Sequence, residues 1–223
     1  MTIAPDRALE TRARHSLGAS DDPIYAAAAD ALRRRGARGR IVDVGCGAGR
    51  LRTFVPDLID SYAGVDTIRY EGLPSGIAFM RADLNRDPIP VPDDSADVAI
   101  AIETIEHLEN PRAFVRELVR IAKPGGWILV TTPNQRSLVS LGALLLKGHF
   151  SAFGARNYPA HQTALLDTDL SRIAAENGLR DVAIEFTCVG RMPLSSAKFP
   201  RMLSRLFRRA MSDNVLLVAR KPA

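Results

Sequence analysis

Glu103, Glu106, His107 and Glu109 fall within one short stretch, DVAIAIETIEHLENP, from Asp97 to Pro111. The stretch opens as an apolar, β-branched run and closes on Asn-Pro, so these side chains cluster where a strand leaves the core. Ligands gather outside the carboxyl ends of parallel strands, which aims Glu103 into a site. With a helix starting at Glu103, Glu106 and His107 share its face. Two carboxylates and an imidazole in an E-x-x-E-H pattern suit Mg²⁺, Mn²⁺ or Zn²⁺. His107 alone suits general-base work. The same residues also fit a plain helix start, where carboxylates favour the dipole and the imidazole packs.

A second group of residues is suited to holding a ligand. IVDVGCGAGR (Ile41 to Arg50) sets Gly45, Gly47 and Gly49 directly after a strand, where glycine lets the backbone turn and approach a ligand. A dinucleotide fingerprint needs its third glycine at position 50, which is Arg50. The G-x-G-x-G spacing after Asp43 argues against NAD and for a ligand without pyrophosphate at the turn. Asp66 ends the second strand, 21 positions after Gly45, where a carboxylate can accept both hydroxyls of a ribose. Asp83 ends a third strand, where a carboxylate can accept from the exocyclic amine of adenine. Ribose, adenine and a glycine turn without pyrophosphate describe S-adenosylmethionine. The loop after Asp83, DLNRDPIPVPDDS, also reads as an ordinary turn.

These positions need a scaffold that lines up strand ends. Strands are expected at Gly39–Gly45, Ser61–Asp66, Ala78–Asp83, Asp97–Ile102 and Gly126–Pro133, and in RDVAIEFTCVG and NVLLVARKP. Helical patterns fill the gaps: Ile24–Gly36; a run from Pro111 with Phe114, Leu118 and Ile121 on one face; and DTDLSRIAAENGL, with Asp167 as candidate cap and Gly178 as stop. Alternating β and α elements imply an α/β fold, a parallel sheet with helices on both faces. The closing strand order implies an antiparallel strand inserted near the C-terminus.

VDVGCGAGR, YAGVD, ADLNRDPIP, DVAIAIETIEHLENP and LVRIAKPGGWILVTTPN together resemble class I S-adenosylmethionine-dependent methyltransferases, over about Ile24 to Pro222. The resemblance implies a Rossmann-like, seven-stranded, mostly parallel sheet whose last strand is antiparallel. It places the Gly45–Gly49 loop beside the methionine moiety, Asp66 on the ribose, and Asp83 with Leu84 around the adenine. Asp43, Cys46, Thr67 and Ile102 complete the expected cofactor set. Methyl transfer to oxygen needs in-line alignment and, for a poor nucleophile, a base. The ubiquinone-pathway O-methyltransferases resemble this chain at E-x-x-E-H, where the pattern is linked to a divalent ion. The small-RNA 2′-O-methyltransferases share it too, with a later histidine completing the site. By that likeness His161 in NYPAHQT joins Glu103, Glu106 and His107 as an expected metal ligand, and His107, Glu103 and His161 form the expected catalytic group. The RNA enzymes' second early histidine is missing, since Asn157 and Tyr158 stand there. EHLENPRAFVRELVR, KPGGWILVTTPN, LLLKGHFSAFG and SDNVLLVARKP resemble bacterial methyltransferases associated with sugar and cell-surface polysaccharide biosynthesis. The expected reaction is O-methylation of a small-molecule or saccharide acceptor in a biosynthetic pathway. The alternatives are a quinone or phenol O-methyltransferase, an RNA 2′-O-methyltransferase, and a cofactor-binding subunit without turnover.

Composition limits the setting. The chain has 223 residues, 46% hydrophobic and 25% charged, enough for one large domain with a substantial core. Residues 1–20 are expected to be a mobile N-terminal segment and 21–223 a single domain. No run approaches the roughly 18 apolar residues of a membrane span, and the N-terminus has no signal-peptide pattern. Cys46 and Cys188 make no disulfide framework, so a cytoplasmic location is expected. The net charge of +5 is unevenly spread: 12 acidic and 3 basic residues from Asp57 to Glu109, against 8 basic and 1 acidic from Arg191 to Ala223. Residues 191–212 read as a basic amphipathic insertion, with Met202, Leu203, Leu206, Phe207 and Ala210 on one helical face and Arg201, Arg205 and Arg208 on another. That face is expected to pack on the domain; a peripheral contact with an anionic membrane is the second reading, and nucleic acid is not favoured. Residues 134–160 are long and apolar for a connection and are expected to form a lid over the acceptor, or else a core helix from Leu138 to Leu146.

Overall fold

The computed structural model describes residues 18–193, 195 and 197–223. Most of the expected mobile segment 1–20 lies outside the described residues, as does part of the loop around Leu194. The strands are β1 (Gly39–Val44), β2 (Ile59–Asp66), β3 (Ala78–Arg81), β4 (Ala96–Ala101), β5 (Ala122–Pro133), β6 (Arg180–Val189) and β7 (Ser212–Arg220). They form one sheet in the order β3-β2-β1-β4-β5-β7-β6. The pairings from β3 to β5 are parallel, and β7 runs antiparallel to both of its neighbours. The expected fold is therefore the observed one, with the antiparallel strand inserted between β5 and β6.

The sheet divides two apolar cores, and period-2 alternation sends successive residues to opposite faces. In β1, Val42 and Val44 enter one core and Ile41 the other; in β4, Ala99 and Ala101 enter the first, Val98 and Ile100 the second. The helices α1 (Asp22–Arg34), α2 (Pro111–Ile121), α3 (Leu138–Lys147) and α4 (Asp167–Glu176) follow in chain order. Helix α2 closes the first core through Phe114, Val115, Leu118 and Ile121, and α1 closes the second through Tyr25, Ala28, Ala29 and Leu32. Asn110 starts α2 by accepting from the Ala113 N–H at 3.0 Å, with Pro111 in the first turn.

Three local expectations need correcting. Asp167 does not cap α4: Asp169 accepts from the Leu166 N–H at 3.0 Å, while Asp167 is buried between Arg136 (3.2 Å) and Arg209 (3.0 Å). Helix α3 is not a core helix, because Leu145 and Leu146 are each 85% exposed. The basic segment is not one amphipathic helix packed on the domain. It breaks at Phe207 into α5 (Arg201–Leu206) and α6 (Arg208–Met211), and Met202, Leu206 and Phe207 are exposed. Among the described residues no helix is long and apolar enough to cross a membrane.

Candidate active site

The strand order reverses between β1 and β4, and a crevice opens at their carboxyl ends, as this topology requires. It is a cavity of about 620 Å³. One half is lined by Gly18–Asp21, Tyr25, Gly45, Gly47, Asp66, Thr67, Tyr70, Asp83–Asn85 and Ile102. The other is lined by Glu103, Thr104, Glu106–Leu108, Arg156, Asn157 and Ala160–Gln162.

The first half is built on a turn that only glycine can make. Gly45 and Gly47 have φ of 79° and 51°; a Cβ on Gly45 would strike the Thr104 side chain, and one on Gly47 the Gly18 carbonyl. Asp66 holds this turn in place, accepting from the Gly47 N–H at 2.8 Å and the Thr67 N–H at 2.7 Å. Burial pushes its carboxyl above the usual range, and these amides pull it back. Residues 18–20 strap over the turn: Ala48 donates to the Gly18 carbonyl at 2.8 Å, and Ser20 N–H to the Tyr25 hydroxyl at 2.9 Å.

Seven of the ten expected cofactor residues meet this half of the cavity: Gly45, Gly47, Asp66, Thr67, Asp83, Leu84 and Ile102. Asp43, Cys46 and Gly49 lie off its walls. Asp43 is buried under the Tyr62 hydroxyl, which donates to one of its oxygens while the other has no partner; burial raises its carboxyl to about 7. Cys46 is buried beside Leu73 and Ile77, where loss of water drives its thiol far up. Gly49 packs on Leu73.

The second half departs from the helical expectation. No helix begins at Glu103. Its φ is 48°, a left-handed conformation that costs a non-glycine residue on the order of 1–3 kcal/mol. What holds it there is a closed set of bonds to the neighbouring strands. Glu103 N–H donates to Thr131 Oγ1 at 2.9 Å; Thr131 Oγ1 donates to Glu103 Oε1 at 2.9 Å; Asn214 Nδ2 donates to the same oxygen at 2.6 Å. Removal from water raises the Glu103 carboxyl to about 7, against the pull of these two donors. Asn214 has no sequence signature; it arrives because antiparallel β7 pairs it with Pro133 at the end of β5.

Beyond Glu103 the chain makes a short 3₁₀ turn, Ile105–His107. Glu106 is 0% exposed, and neither carboxylate oxygen has a hydrogen-bond partner; the nearby strand-end hydroxyl of Thr132 is also unpartnered. Burial first, and Glu103 second, hold the Glu106 carboxyl well above its usual range. The Glu106 carbonyl accepts from the N–H groups of Gln162 (2.9 Å) and Thr163 (3.0 Å), which clamps the 160–163 segment over the turn. His161 thereby reaches His107, ring centres 4.8 Å apart and nearly perpendicular. His107 Nδ1 lies 2.9 Å from the Ala160 carbonyl, and His161 Nδ1 2.7 Å from the Ala152 carbonyl. A carbonyl only accepts, so each Nδ1 carries the proton and each neutral ring keeps its Nε2 lone pair. Burial and the His161 ring bring His107 down to about 4, and burial lowers His161. Glu106, His107 and His161 each offer a ligand atom within 4.8 Å of the others. Glu103, expected as a fourth ligand, is engaged by Thr131 and Asn214 and stands outside this group.

Residues 134–160 contribute Arg156, Asn157 and Ala160 to the wall; α3 does not line the cavity. The strap Gly18–Asp21, Tyr25, Tyr70 and Gln162 were not foreseen. Only Gly18, with φ of 60° against Tyr70, carries a residue type that hinted at a turn there.

A doubly wound sheet with a glycine turn, a buried acid on that turn and a large cavity at the switch point defines a Rossmann-like fold with a ligand crevice. The chain belongs to the methyltransferase-domain family, whose model matches residues 19–184. It is 33% identical over 107 residues to a protein described as a probable S-adenosylmethionine-dependent methyltransferase of Mycolicibacterium smegmatis, covering 47% of this chain and 42% of that one. It is 25% identical over 154 residues to a ubiquinone biosynthesis O-methyltransferase of Burkholderia pseudomallei, covering 66% of each. The matches therefore span less than two thirds of those relatives' lengths. An S-adenosylmethionine-dependent methyltransferase from Archaeoglobus fulgidus shares the fold, with a TM-score of 0.61 at 21% identity over 97% of this chain and 100% of that one.

Proposed function

We propose that this protein is an S-adenosylmethionine-dependent O-methyltransferase acting on a small-molecule or saccharide acceptor. The observation that carries the reading is a single cavity with the glycine turn and Asp66 at one end and two Nε2 lone pairs at the other. The Asp66 oxygens accept from backbone amides, Gly47 on one and Thr67 on the other, and keep lone pairs for a ribose hydroxyl. Asp83 and Leu84 frame the adenine, and the Gly45–Gly47 backbone leaves room for the methionine moiety. Residues 21–223 then act as one methyltransferase unit, working in the cytoplasm.

Bound in the first half of the cavity, S-adenosylmethionine would supply an activated methyl group to an acceptor hydroxyl, with the bond to sulfur given up, and His107 Nε2 would take the proton of that hydroxyl. Burial keeps His107 neutral, so the lone pair is available above about pH 4, but the same burial weakens it as a base. A divalent ion is a second reading, favoured by the orphaned Glu106 oxygens next to two proton-free ring nitrogens. Glu106, His107 and His161 would hold it, and it would lower the pKa of the acceptor hydroxyl.

The acceptor is drawn from the sugar and cell-surface saccharide class that the sequence resembles; a quinone or phenol acceptor is supported by the Burkholderia relative. Calorimetry with S-adenosylhomocysteine tests the cofactor, with one site expected. Methyl-labelled donor with a panel of glycosides, catechols and RNA 3′ ends tests the acceptor, with label expected on an oxygen. Absence of cofactor binding, or label on nitrogen or carbon only, sinks the reading. Turnover that survives exhaustive chelation removes the metal and leaves His107 as the base.

A further inference from the structure

Two exposed apolar elements leave the sheet beside each other at the end where the cavity opens. Asn134, just past β5, donates from its N–H to the Asp213 carbonyl at 2.9 Å and from Nδ2 to the carbonyls of Arg209 (2.8 Å) and Ser212 (3.0 Å). Helix α3 starts four residues beyond Asn134, and α5–α6 end one residue before Ser212, so both are rooted on one corner. Asp167 adds a tie, pairing with Arg136 below α3 and Arg209 in α6. The elements rooted there carry Leu145 and Leu146, each 85% exposed, and Met202, Leu206 and Phe207, at 78%, 72% and 56%. Long apolar side chains so open to water on two elements that share one root mark an interaction surface.

Charge selects the partner. Residues 134–166 and 191–212 together carry nine Lys or Arg and no Asp or Glu. Arg201, Arg205 and Arg208 are exposed and make no ion pair among the described residues. A surface with apolar tips among unpaired arginines matches an anionic bilayer, which offers phosphates at its face and hydrocarbon beneath. Nucleic acid would satisfy the arginines and leave the leucines in water. A second copy would set like charge against like.

We propose that α3 and α5–α6 together seat the protein on an anionic membrane, Leu145, Leu146, Met202, Leu206 and Phe207 entering the headgroup boundary and Arg201, Arg205 and Arg208 meeting lipid phosphates. Given the methyl-transfer reading above, this brings the Arg156–Asn157 wall of the cavity towards the lipid, and the acceptor class becomes a lipid-borne hydroxyl compound.

Vesicle flotation of the full chain tests the docking without any turnover, so its failure is separate from failure of the methyl-transfer reading. Phosphatidylcholine vesicles with and without 30% phosphatidylglycerol (a composition chosen for its charge, on the order of a bacterial leaflet's) are compared at 0.1 M and 1 M salt. Binding is expected to the anionic vesicles, weakened by salt. Leu145→Ser with Leu146→Ser, and separately Arg201→Gln with Arg205→Gln and Arg208→Gln, are each expected to lower the partition at least about tenfold. All these positions are exposed, and far-ultraviolet circular dichroism with thermal melting checks that each variant remains folded. No flotation with anionic vesicles, or flotation unchanged in both variants, overturns the proposal. A dimer in light scattering that the leucine variant disrupts, without vesicle binding, reassigns the surface to a second copy. Tight binding to a generic RNA that only the arginine variant loses reassigns it to nucleic acid.

Discussion

Glu103, Glu106 and His107 lie within five consecutive positions, yet the fold gives them different work. Glu103 is tied back to Thr131 and Asn214, Glu106 is buried without a partner, and His107 shares a proton-free face with His161. Exchanging His107 for Gln keeps a donor for the Ala160 carbonyl but removes the base. Methyl transfer is expected to fall by about 10²-fold or more, with S-adenosylhomocysteine affinity unchanged by calorimetry. The two glutamates also make a stability prediction. Their carboxyls are raised in the folded state, Glu103 to about 7. A raised acid contributes stability that is fully present below its unfolded pKa and is lost as pH rises through the folded one. Glu103→Gln retains the acceptor oxygen and removes that loss. At pH 8 it is expected to melt higher than the parent, by roughly 2 kcal/mol or about 5 °C, with the difference shrinking towards pH 5. His107 works in the opposite sense: its lowered pKa makes stability complete above about 6.5 and lost as pH falls towards about 4. Melting curves taken from pH 6.5 to 8.5 therefore isolate the carboxylates; equal melting of parent and variant across that range would refute the assignment.

At the scale of elements, what the chain reveals depends on whether a feature is local. The strands, helix α2 with Asn110 and Pro111, and the glycine turn followed by Asp66 are written in periodicity, caps and φ > 0 residues, and they stand where the pattern puts them. The helix expected at Glu103 is absent because two partners 28 and 111 positions away pull its side chain and backbone into a left-handed turn. Asp167 looked like a cap by type and position, but two distant arginines claim it and Asp169 takes the cap. The apolar faces of α3 and α5 looked like core for the same reason any leucine stripe does; periodicity reports that a face is apolar and is silent on what covers it. One element invites a direct test. Gly47 sits under the Gly18 carbonyl with φ of 51°, so Gly47→Ala must displace the strap and lose the Asp66 bond. Cofactor affinity in calorimetry is expected to drop at least about 100-fold, with far-ultraviolet circular dichroism retained. Undiminished binding would mean that the strap and turn are free to move apart.

For the molecule as a whole, the two halves of the cavity are assembled in different ways. The cofactor half draws mainly on β1, β2 and the loops that follow them, near one another in sequence and neighbours in the sheet. The acceptor half joins the 103–108 turn, the 156–162 segment and, behind Glu103, the first residues of β7. Asp167 is a buried knot of that second assembly, since its carboxylate pairs with the side chains of both Arg136 at the root of α3 and Arg209 in α6. Both arginines are partly exposed, so solvent screens the pairs. Asp167→Asn is expected to cost only about 1–2 kcal/mol globally. Its local effect should be larger. Freed of the shared carboxylate, residues 134–137 and 208–213 can open independently of the sheet, and opening of this kind is what amide exchange measures. Hydrogen exchange in Asp167→Asn should therefore quicken in those two segments and in 156–162, which α3 feeds, while amides of β1 and β2 exchange as in the parent. Cofactor affinity should hold, and the KM for the acceptor should rise. If exchange instead quickens evenly over the whole sheet, Asp167 stabilises the fold at large, and the acceptor half has no cooperative unit of its own.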